Sequence, residues 1–237
     1  MSKFTDQVVI VTGAAGNMGR AVAWAFAGQG ARIALVDRDA QALEQIRAAL
    51  PAGTVAIGIT TDLMNPESVA RMGATVVEQF GRVDVLANLV GGFTMGPPIH
   101  ETTDHDWTFM LDLNARTVFN CCRAVVPLLL AGGGGHIVNV AARAATRGIG
   151  RMGPYCASKA AVITLTESLA EELKDQGITV NCILPGTVDT PQNRAAMPDQ
   201  DHDRWVSLAA LADVILFLAS DAARAVTGAA VPVYGRS

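Results

Sequence analysis

Short apolar runs alternate along the chain with longer segments whose apolar positions recur at helical spacing. The apolar runs are rich in Val, Ile and Leu, which is typical of strands buried on both faces of a parallel sheet. They predict strands at Val8–Val11, Arg32–Val36, Val55–Ile59, Val83–Asn88, His136–Val140, Thr179–Ile183 and Ala230–Val233. The segments between them predict helices at Asn17–Gly28, Ala40–Leu50, Pro66–Gly81, Thr103–Leu130, Gly153–Gln176 and Leu208–Ser220. This alternation predicts an α/β protein with a doubly wound, seven-stranded parallel sheet and helices on both faces.

Composition fits one domain over residues 1–237. Half of the residues are hydrophobic and 17% are charged, as a sheet covered on both faces requires. The net charge is −4 without a basic cluster, so binding to nucleic acid or to an acidic membrane has no electrostatic support. The longest apolar stretch contains a proline and four glycines, and the charged N-terminus is unlike a secretory signal. The four cysteines lack metal-ligand spacing, and we expect them to be buried thiols of a cytoplasmic protein.

A glycine-rich turn joins the first strand to the first helix. It carries Gly13, Gly16 and Gly19 within the run Thr12–Gly19. Strand, glycine turn and helix in this order are the context of a dinucleotide fingerprint. Small residues let the backbone approach a pyrophosphate, and the helix N-terminus offers free N–H groups. The alternative is an ordinary glycine turn of an α/β protein.

An acidic residue follows the second strand at the spacing of a ribose-binding acid. Asp37 lies 24 residues after Gly13. Its carboxylate can accept hydrogen bonds from the ribose hydroxyls of NAD and would repel the extra phosphate of NADP. Arg38 is the next residue, so NAD(H) is the favoured cofactor and NADP(H) stays open. A second role for Asp37 is as the N-cap of a helix that starts at Ala40.

A phenol and an ammonium share one face of the predicted helix Gly153–Gln176. Tyr155 and Lys159 lie four residues apart. A nearby cation favours phenolate, so we expect Lys159 to lower the pKa of Tyr155 from its usual value of about 10. Such a tyrosine can exchange a proton with a substrate while a hydride moves. The alternative is a chance pair on one helix face, since short motifs occur without function.

These segments together resemble the short-chain dehydrogenase/reductase family, from about Lys3 to Tyr234. The resemblance implies a Rossmann fold and a small-molecule oxidoreductase, with Tyr155 and Lys159 catalytic and also in contact with the cofactor. It implies that Asn114 supports Lys159 through a water. In the commonest form of the family's loop a glycine stands at position 17, where this chain has Asn17. The further implied cofactor contacts are Gly13, Gly16, Met18, Gly19, Asp37, Arg38, Asp62, Leu63, Asn88, Gly91, Pro185, Gly186, Val188 and Thr190.

The catalytic serine of the family is missing. Ala142 stands at its place, and Thr146 is the nearest downstream hydroxyl. Loss of one hydrogen-bond donor to the reacting oxygen typically costs about 2.7–4 kcal/mol of transition-state stabilisation. Dihydropteridine reductases, a branch that lacks this serine, have similar segments at Val90–Phe93, Val140–Ala145, Leu184–Arg194, Met197–Pro198 and Trp205.

The closer resemblance implies NADH-dependent reduction of a quinonoid dihydropterin-like ring, a strongly activated hydride acceptor. Two alternatives stay open. One is a ketone or 3-oxoacyl reductase, equivalently an alcohol dehydrogenase, in which another donor replaces the serine. The other is an NAD(H)-binding sensor or scaffold without turnover.

Residues 190–207 connect the last two predicted elements before the final strand, and the resemblance implies that they cover the substrate. Their polar, proline-bearing sequence predicts an open or mobile lid, with Phe93, Met95 and Trp205 as candidate pocket walls. The polar run His100–Asp106 predicts a helix start capped by Thr103 or Asp104 rather than a metal site. Family members usually pair their long helices, which implies a homodimer or homotetramer.

Overall fold

A computed structural model describes residues 3–236 and contains one parallel sheet of seven strands in that range. The strand order is β3-β2-β1-β4-β5-β6-β7. The strands are β1 (Val8–Thr12), β2 (Arg32–Asp37), β3 (Ala56–Thr60), β4 (Val85–Asn88), β5 (Gly135–Val140), β6 (Ile178–Pro185) and β7 (Ala230–Val233). The predicted α/β Rossmann fold with a seven-stranded parallel sheet is therefore confirmed.

Helices cover both faces of the sheet. They are α1 (Asn17–Gly28), α2 (Ala40–Ala49), α3 (Pro66–Phe80), α4 (Asp104–Leu111), α5 (Thr117–Ala131), α6 (Gly153–Leu173), α7 (Pro191–Ala196) and α8 (Leu208–Leu218). Val9 and Val11 of β1 share a core cluster with residues of α1, α2 and α8. Val8 and Ile10 share the opposite cluster with residues of α3, α5 and α6. Successive strand residues point to opposite faces, so the central strands carry apolar residues on both faces.

The crevice that positions a ligand opens beside β1. The chain runs outward from this strand in both directions, since β1 pairs with β2 on one side and with β4 on the other. In open parallel sheets ligands bind outside the carboxyl ends of the strands at such a switch point. The loops after β1, β2, β3 and β4 all begin at this edge.

The long predicted helix Thr103–Leu130 is helical throughout but not uniform. Thr103 caps it by accepting a hydrogen bond from the backbone N–H of Asp106, as one of the two expected caps. A wide π-helical turn at Asp112–Arg116 separates α4 from α5. Single π-helical turns within α-helices are frequently found at functional sites. This turn carries Asn114, and the sequence pattern did not predict it.

Other boundaries differ from prediction for local reasons. Asp39, not Asp37, caps α2 by accepting a hydrogen bond from Ala42 N at 2.9 Å, so the N-cap role considered for Asp37 is wrong. The segment at 190–207 contains helix α7, whose six residues are too few for an apolar periodicity to predict it. The predicted helix Gly153–Gln176 ends at Leu173. No helix between residues 3 and 236 is long and apolar enough to cross a membrane.

Candidate active site

A cavity of about 320 Å³ opens at the carboxyl edge of the sheet. Loops that follow four neighbouring strands supply its walls. Seven of the predicted cofactor residues line it: Gly13, Gly16, Asp37, Arg38, Asp62, Leu63 and Gly91. The rest of its lining was not predicted from the sequence: Thr61, Met64, Leu89, Val90, Leu113 and Thr117. The cavity brings the glycine loop and the acid after β2 together, as the fingerprint requires.

The glycine loop is closely packed at two positions. Gly13 has φ +65°, a left-handed conformation that residues with a Cβ rarely adopt. A Cβ on Gly19 would lie 2.1 Å from Gly13 O and 2.7 Å from Ala14 Cα. Gly19 thus lets the start of α1 pack against the turn, and Gly13 gives the turn its left-handed backbone. The resulting cradle, with the helix N-terminus at its floor, fits the diphosphate of a dinucleotide.

The carboxylate after β2 is oriented by backbone N–H groups. Asp37 Oδ2 accepts a hydrogen bond of 3.0 Å from Ala15 N, and Oδ1 accepts one of 2.7 Å from Arg38 N. These bonds fix the carboxylate between the glycine loop and the end of β2. Oδ1 also accepts a longer bond of 3.4 Å from Asp39 N, so a lone pair stays open on Oδ2, where a ribose hydroxyl can donate.

Three polar side chains, those of Asn114, Ser158 and Lys159, lie where the loop after β4, the π turn and α6 converge. Asn114 accepts a 3.0 Å hydrogen bond from Gly92 N and donates one of 3.1 Å to Gly92 O. It also donates to Ser158 Oγ at 3.1 Å, and that hydroxyl donates to Tyr155 O at 2.8 Å. Lys159 Nζ donates to Val140 O at 2.8 Å. Asn114 thus connects the loop after β4 with the helix that carries Tyr155 and Lys159.

Two members of this network were not predicted from the sequence. The only signal for Ser158 was its place inside the run Tyr155–Lys159, and Gly92 contributes through its backbone alone. Gly91 is needed for its size, because a Cβ there would lie 2.8 Å from both Asn114 Oδ1 and Lys159 Nζ. Gly91 therefore admits the two polar side chains, whereas a Cβ on Gly92 would lie 2.6 Å from Leu113 Cδ2.

Burial is the main cause of the shifted pKa values of Tyr155 and Lys159 on α6. It raises the pKa of Tyr155 to about 12, with a smaller contribution from Cys156. It lowers the pKa of Lys159, which is 4% exposed, to about 8. The pKa of Tyr155 therefore moves in the opposite direction from our expectation. Loss of hydration disfavours the phenolate, while the Lys159 ammonium donates to Val140 O.

Ala142, at the position where we expect the family's serine to be missing, offers only a methyl group. Ala142 follows β5, is 7% exposed and has extended backbone geometry. Thr146 ends the 3₁₀ turn Arg143–Thr146, and its hydroxyl donates to Arg143 O at 2.9 Å. That donor is engaged by the turn's own backbone, so Thr146 is not arranged to replace the serine.

The remaining predicted cofactor residues lie outside the lining of the cavity: Asn17, Met18, Gly19, Asn88, Tyr155, Lys159, Pro185, Gly186, Val188 and Thr190. Asn88 is 2% exposed and donates to Asn139 Oδ1 at 2.9 Å, which joins β4 to β5. Met18 packs against a core cluster. Pro185 ends β6, and Gly186 N bonds to Val233 O. These positions shape the backbone around the crevice.

The lid is closely bonded within itself. Asp189 pairs with Arg194 through two hydrogen bonds of 2.6 and 2.9 Å. Asn193 Nδ2 donates to Val188 O at 2.8 Å, and Thr190 caps α7. These bonds order the segment locally, and the open or mobile lid expected from its polar sequence stays a prediction.

The three candidate pocket walls lie in different surroundings. Phe93 packs edge-to-face on Tyr155, with ring centroids 5.0 Å apart, and is 53% exposed. Met95 is still more exposed on the same loop. Trp205 instead packs against His202 within the lid, with ring centroids 4.4 Å apart and ring planes tilted by 50°. Phe93 is thus the wall nearest to the phenol.

Comparison with known proteins gives the family of the chain. The family model for short chain dehydrogenases matches residues 7–201. D-threitol dehydrogenase of Mycolicibacterium smegmatis is 36% identical over 98% of this chain and 93% of its own length. The 1,6-dihydroxycyclohexa-2,4-diene-1-carboxylate dehydrogenase of Acinetobacter baylyi is 36% identical over 98% and 97%, respectively. The structure of NAD⁺-bound xylitol dehydrogenase superposes with a TM-score of 0.92 at 30% identity, covering 98% of this chain and 99% of that one. The chain belongs to the short-chain dehydrogenase/reductase family of oxidoreductases.

Proposed function

We propose that the protein is an NAD(H)-dependent reductase of an activated, conjugated ring of the quinonoid dihydropterin type. Ala142 carries the proposal. A ketone oxygen needs a second hydrogen-bond donor beside the tyrosine, and the alanine offers none. A quinonoid ring is already polarised, so it accepts hydride with less help.

The cofactor preference follows from the acid after β2. The oriented Asp37 carboxylate favours the free ribose hydroxyls of NAD(H) and disfavours the phosphate of NADP(H). Two similar structures, of a xylitol dehydrogenase and a carveol dehydrogenase, were solved with NAD⁺ or NAD. Arg38 can attract the extra phosphate of NADP(H), so NADPH is the competing cofactor to be tested beside NADH.

When bound, the nicotinamide cofactor supplies the hydride, and the chain supplies the proton. Tyr155, with a pKa of about 12, stays protonated at neutral pH and donates from its hydroxyl. Lys159, with a pKa of about 8, is largely charged at pH 7 and favours the phenolate left behind. Asn114 and Ser158 hold helix α6 at the loop after β4.

An exposed aromatic side chain beside the phenol suits a flat acceptor. Phe93 presents its free surface next to Tyr155. Exposed apolar surface rimmed by polar residues is typical of ligand grooves, and ring pairs gain stability beyond their buried area. A conjugated ring can therefore pack on Phe93 while it receives the proton of Tyr155.

A secondary alcohol or ketone is the second candidate substrate. It is favoured by the names of the similar proteins, which include a D-threitol dehydrogenase and a 3beta-hydroxysteroid dehydrogenase. In that case a hydrogen-bond donor other than Thr146 must polarise the carbonyl, because the side chain of Ala142 has none. A third candidate is an NAD(H)-binding sensor without turnover.

The decisive measurement follows NADH absorbance with freshly generated quinonoid dihydropterin beside a panel of ketones and 3-oxoacyl thioesters. We expect fast oxidation with the pterin and little with the panel. Ala142→Ser should restore the missing donor and raise carbonyl reduction by about 10²-fold, while leaving the pterin rate largely unchanged. Wild-type activity on the carbonyl panel alone would contradict the proposal. No oxidation of NADH with any substrate, together with tight NADH binding, would favour the sensor.

We further propose a cytoplasmic homo-oligomer. The four cysteines are buried free thiols, as in reducing compartments. Trp107, Phe109 and Phe119 are exposed on α4 and α5, which a single subunit leaves in contact with water. Light scattering should give two or four times the subunit mass of 24.7 kDa. A monomer at micromolar concentration would contradict this part of the proposal.

A further inference from the structure

A hydrogen bond joins the cofactor loop to the lid. Asn17 Nδ2 donates to Gln192 Oε1 at 2.7 Å, across 175 positions of the chain. Asn17 is the first residue of α1, and Gln192 is the second residue of α7. The commonest form of the family's loop has a glycine at position 17, which has no side chain to reach the lid. The bond therefore accompanies this chain's departure from that form.

Asn17 and Gln192 each belong to a segment that is stabilised by its own internal hydrogen bonds. The turn before Asn17 is closed by a 3.0 Å bond from Gly16 N to Gly13 O, and Arg20 N bonds to Gly16 O at 3.0 Å. Helix α7 is capped by Thr190, and the ion pair between Asp189 and Arg194 ties it to the segment after β6. The bond thus connects two formed structures, and a movement of the lid away from the loop must break it.

We propose that Gln192 is a positioning residue for the cofactor loop. Through Asn17 it holds the lid against this loop and slows the release of NAD(H). The inference rests on the proposed binding of NAD(H) along Gly13–Gly19. The bond is exposed to water, so its contribution is that of one ordinary hydrogen bond. The expected effect is therefore a change in release rate of about two- to tenfold, not a loss of binding.

Two variants remove the bond from opposite sides. Gln192→Met keeps a long side chain but removes the acceptor oxygen. Asn17→Gly removes the donor and restores the residue of the commonest family loop. Gln200→Met is the matched control, since Gln200 is an exposed glutamine of the same lid whose side chain bonds to no described residue.

The test is stopped-flow release of NADH, followed by its fluorescence after mixing loaded protein with excess NAD⁺. We expect faster release from both single variants and an unchanged rate in Gln200→Met. The double variant should be no faster than the faster single variant, because both changes remove the same bond.

Two results would overturn the role of Gln192: a wild-type release rate in Gln192→Met, or effects that multiply in the double variant. Failure of the wild-type protein to bind NADH would instead contradict the proposed function. The two failures are thus distinguishable. Thermal unfolding of each variant checks that the fold is retained, as expected for exposed side chains.

Discussion

Tyr155→Phe is expected to lower kcat/KM for reduction by about 10²–10⁴-fold, the usual contribution of a positioned acid. The substitution removes the hydroxyl and keeps the ring that packs on Phe93. Binding of NADH, measured by fluorescence, should change little, because the ring and helix α6 stay in place. The loss should therefore appear in turnover rather than in cofactor affinity.

The chain supplies a matched control for this experiment. Tyr234 is its only other tyrosine. Tyr234→Phe should retain most of the activity, which separates loss of the proton donor from a general effect of removing a phenol. Unchanged activity in Tyr155→Phe would contradict the proposed mechanism. Loss of NADH binding in this variant would mean that Tyr155 acts chiefly on the cofactor.

The raised pKa of Tyr155 bears on the pH dependence of the reaction. A phenol with a pKa of about 12 is protonated across the neutral range, so it is ready to donate. Donation accompanies reduction of an acceptor, whereas oxidation of an alcohol requires the phenolate as base. The raised pKa therefore predicts that the rate of alcohol oxidation rises with pH. Lys159 contributes its charge below a pKa of about 8.

Gly19→Ala is expected to abolish detectable NADH binding or weaken it by about tenfold or more, and to lower stability. The added Cβ would lie 2.1 Å from Gly13 O and 2.8 Å from Gly13 C. These are backbone atoms of the cofactor loop, so the loop itself must move. Overpacking of this kind typically costs about 1–3 kcal/mol, and about 1.4 kcal/mol already corresponds to tenfold in affinity.

Gly28→Ala is the control in the same helix. A Cβ at Gly28 meets nothing within 4 Å. Alanine is the better helix former, so this variant should gain about 0.5–1 kcal/mol in unfolding free energy. Fluorescence titration with NADH and chemical denaturation of both variants check the contrast. Normal binding by Gly19→Ala would show that the tight contact of α1 with the turn is not needed for the cofactor.

Local sequence pattern was sufficient for the fold and for part of the site. Runs of β-branched residues determine buried strands, and the glycine turn after β1 encodes a backbone that other residues rarely adopt. The acid after β2 and the pair on α6 follow from spacing along one element. The proposed loss of the serine at Ala142 likewise comes from the sequence, because it depends on residue identity alone.

The tertiary structure decided what depends on residues far apart in the chain. Burial determines the pKa of Tyr155 and reverses the expected shift, and burial arises only when α6 packs on the sheet. The π turn aims Asn114 at Gly92 and Ser158, and no sequence periodicity marks it. The bond between Asn17 and Gln192 joins segments 175 positions apart. The sequence by itself thus determined the elements and the candidates for the reacting groups. Only the folded chain decided their protonation, their partners and the attachment of the lid, since these depend on desolvation and contacts that exist after packing.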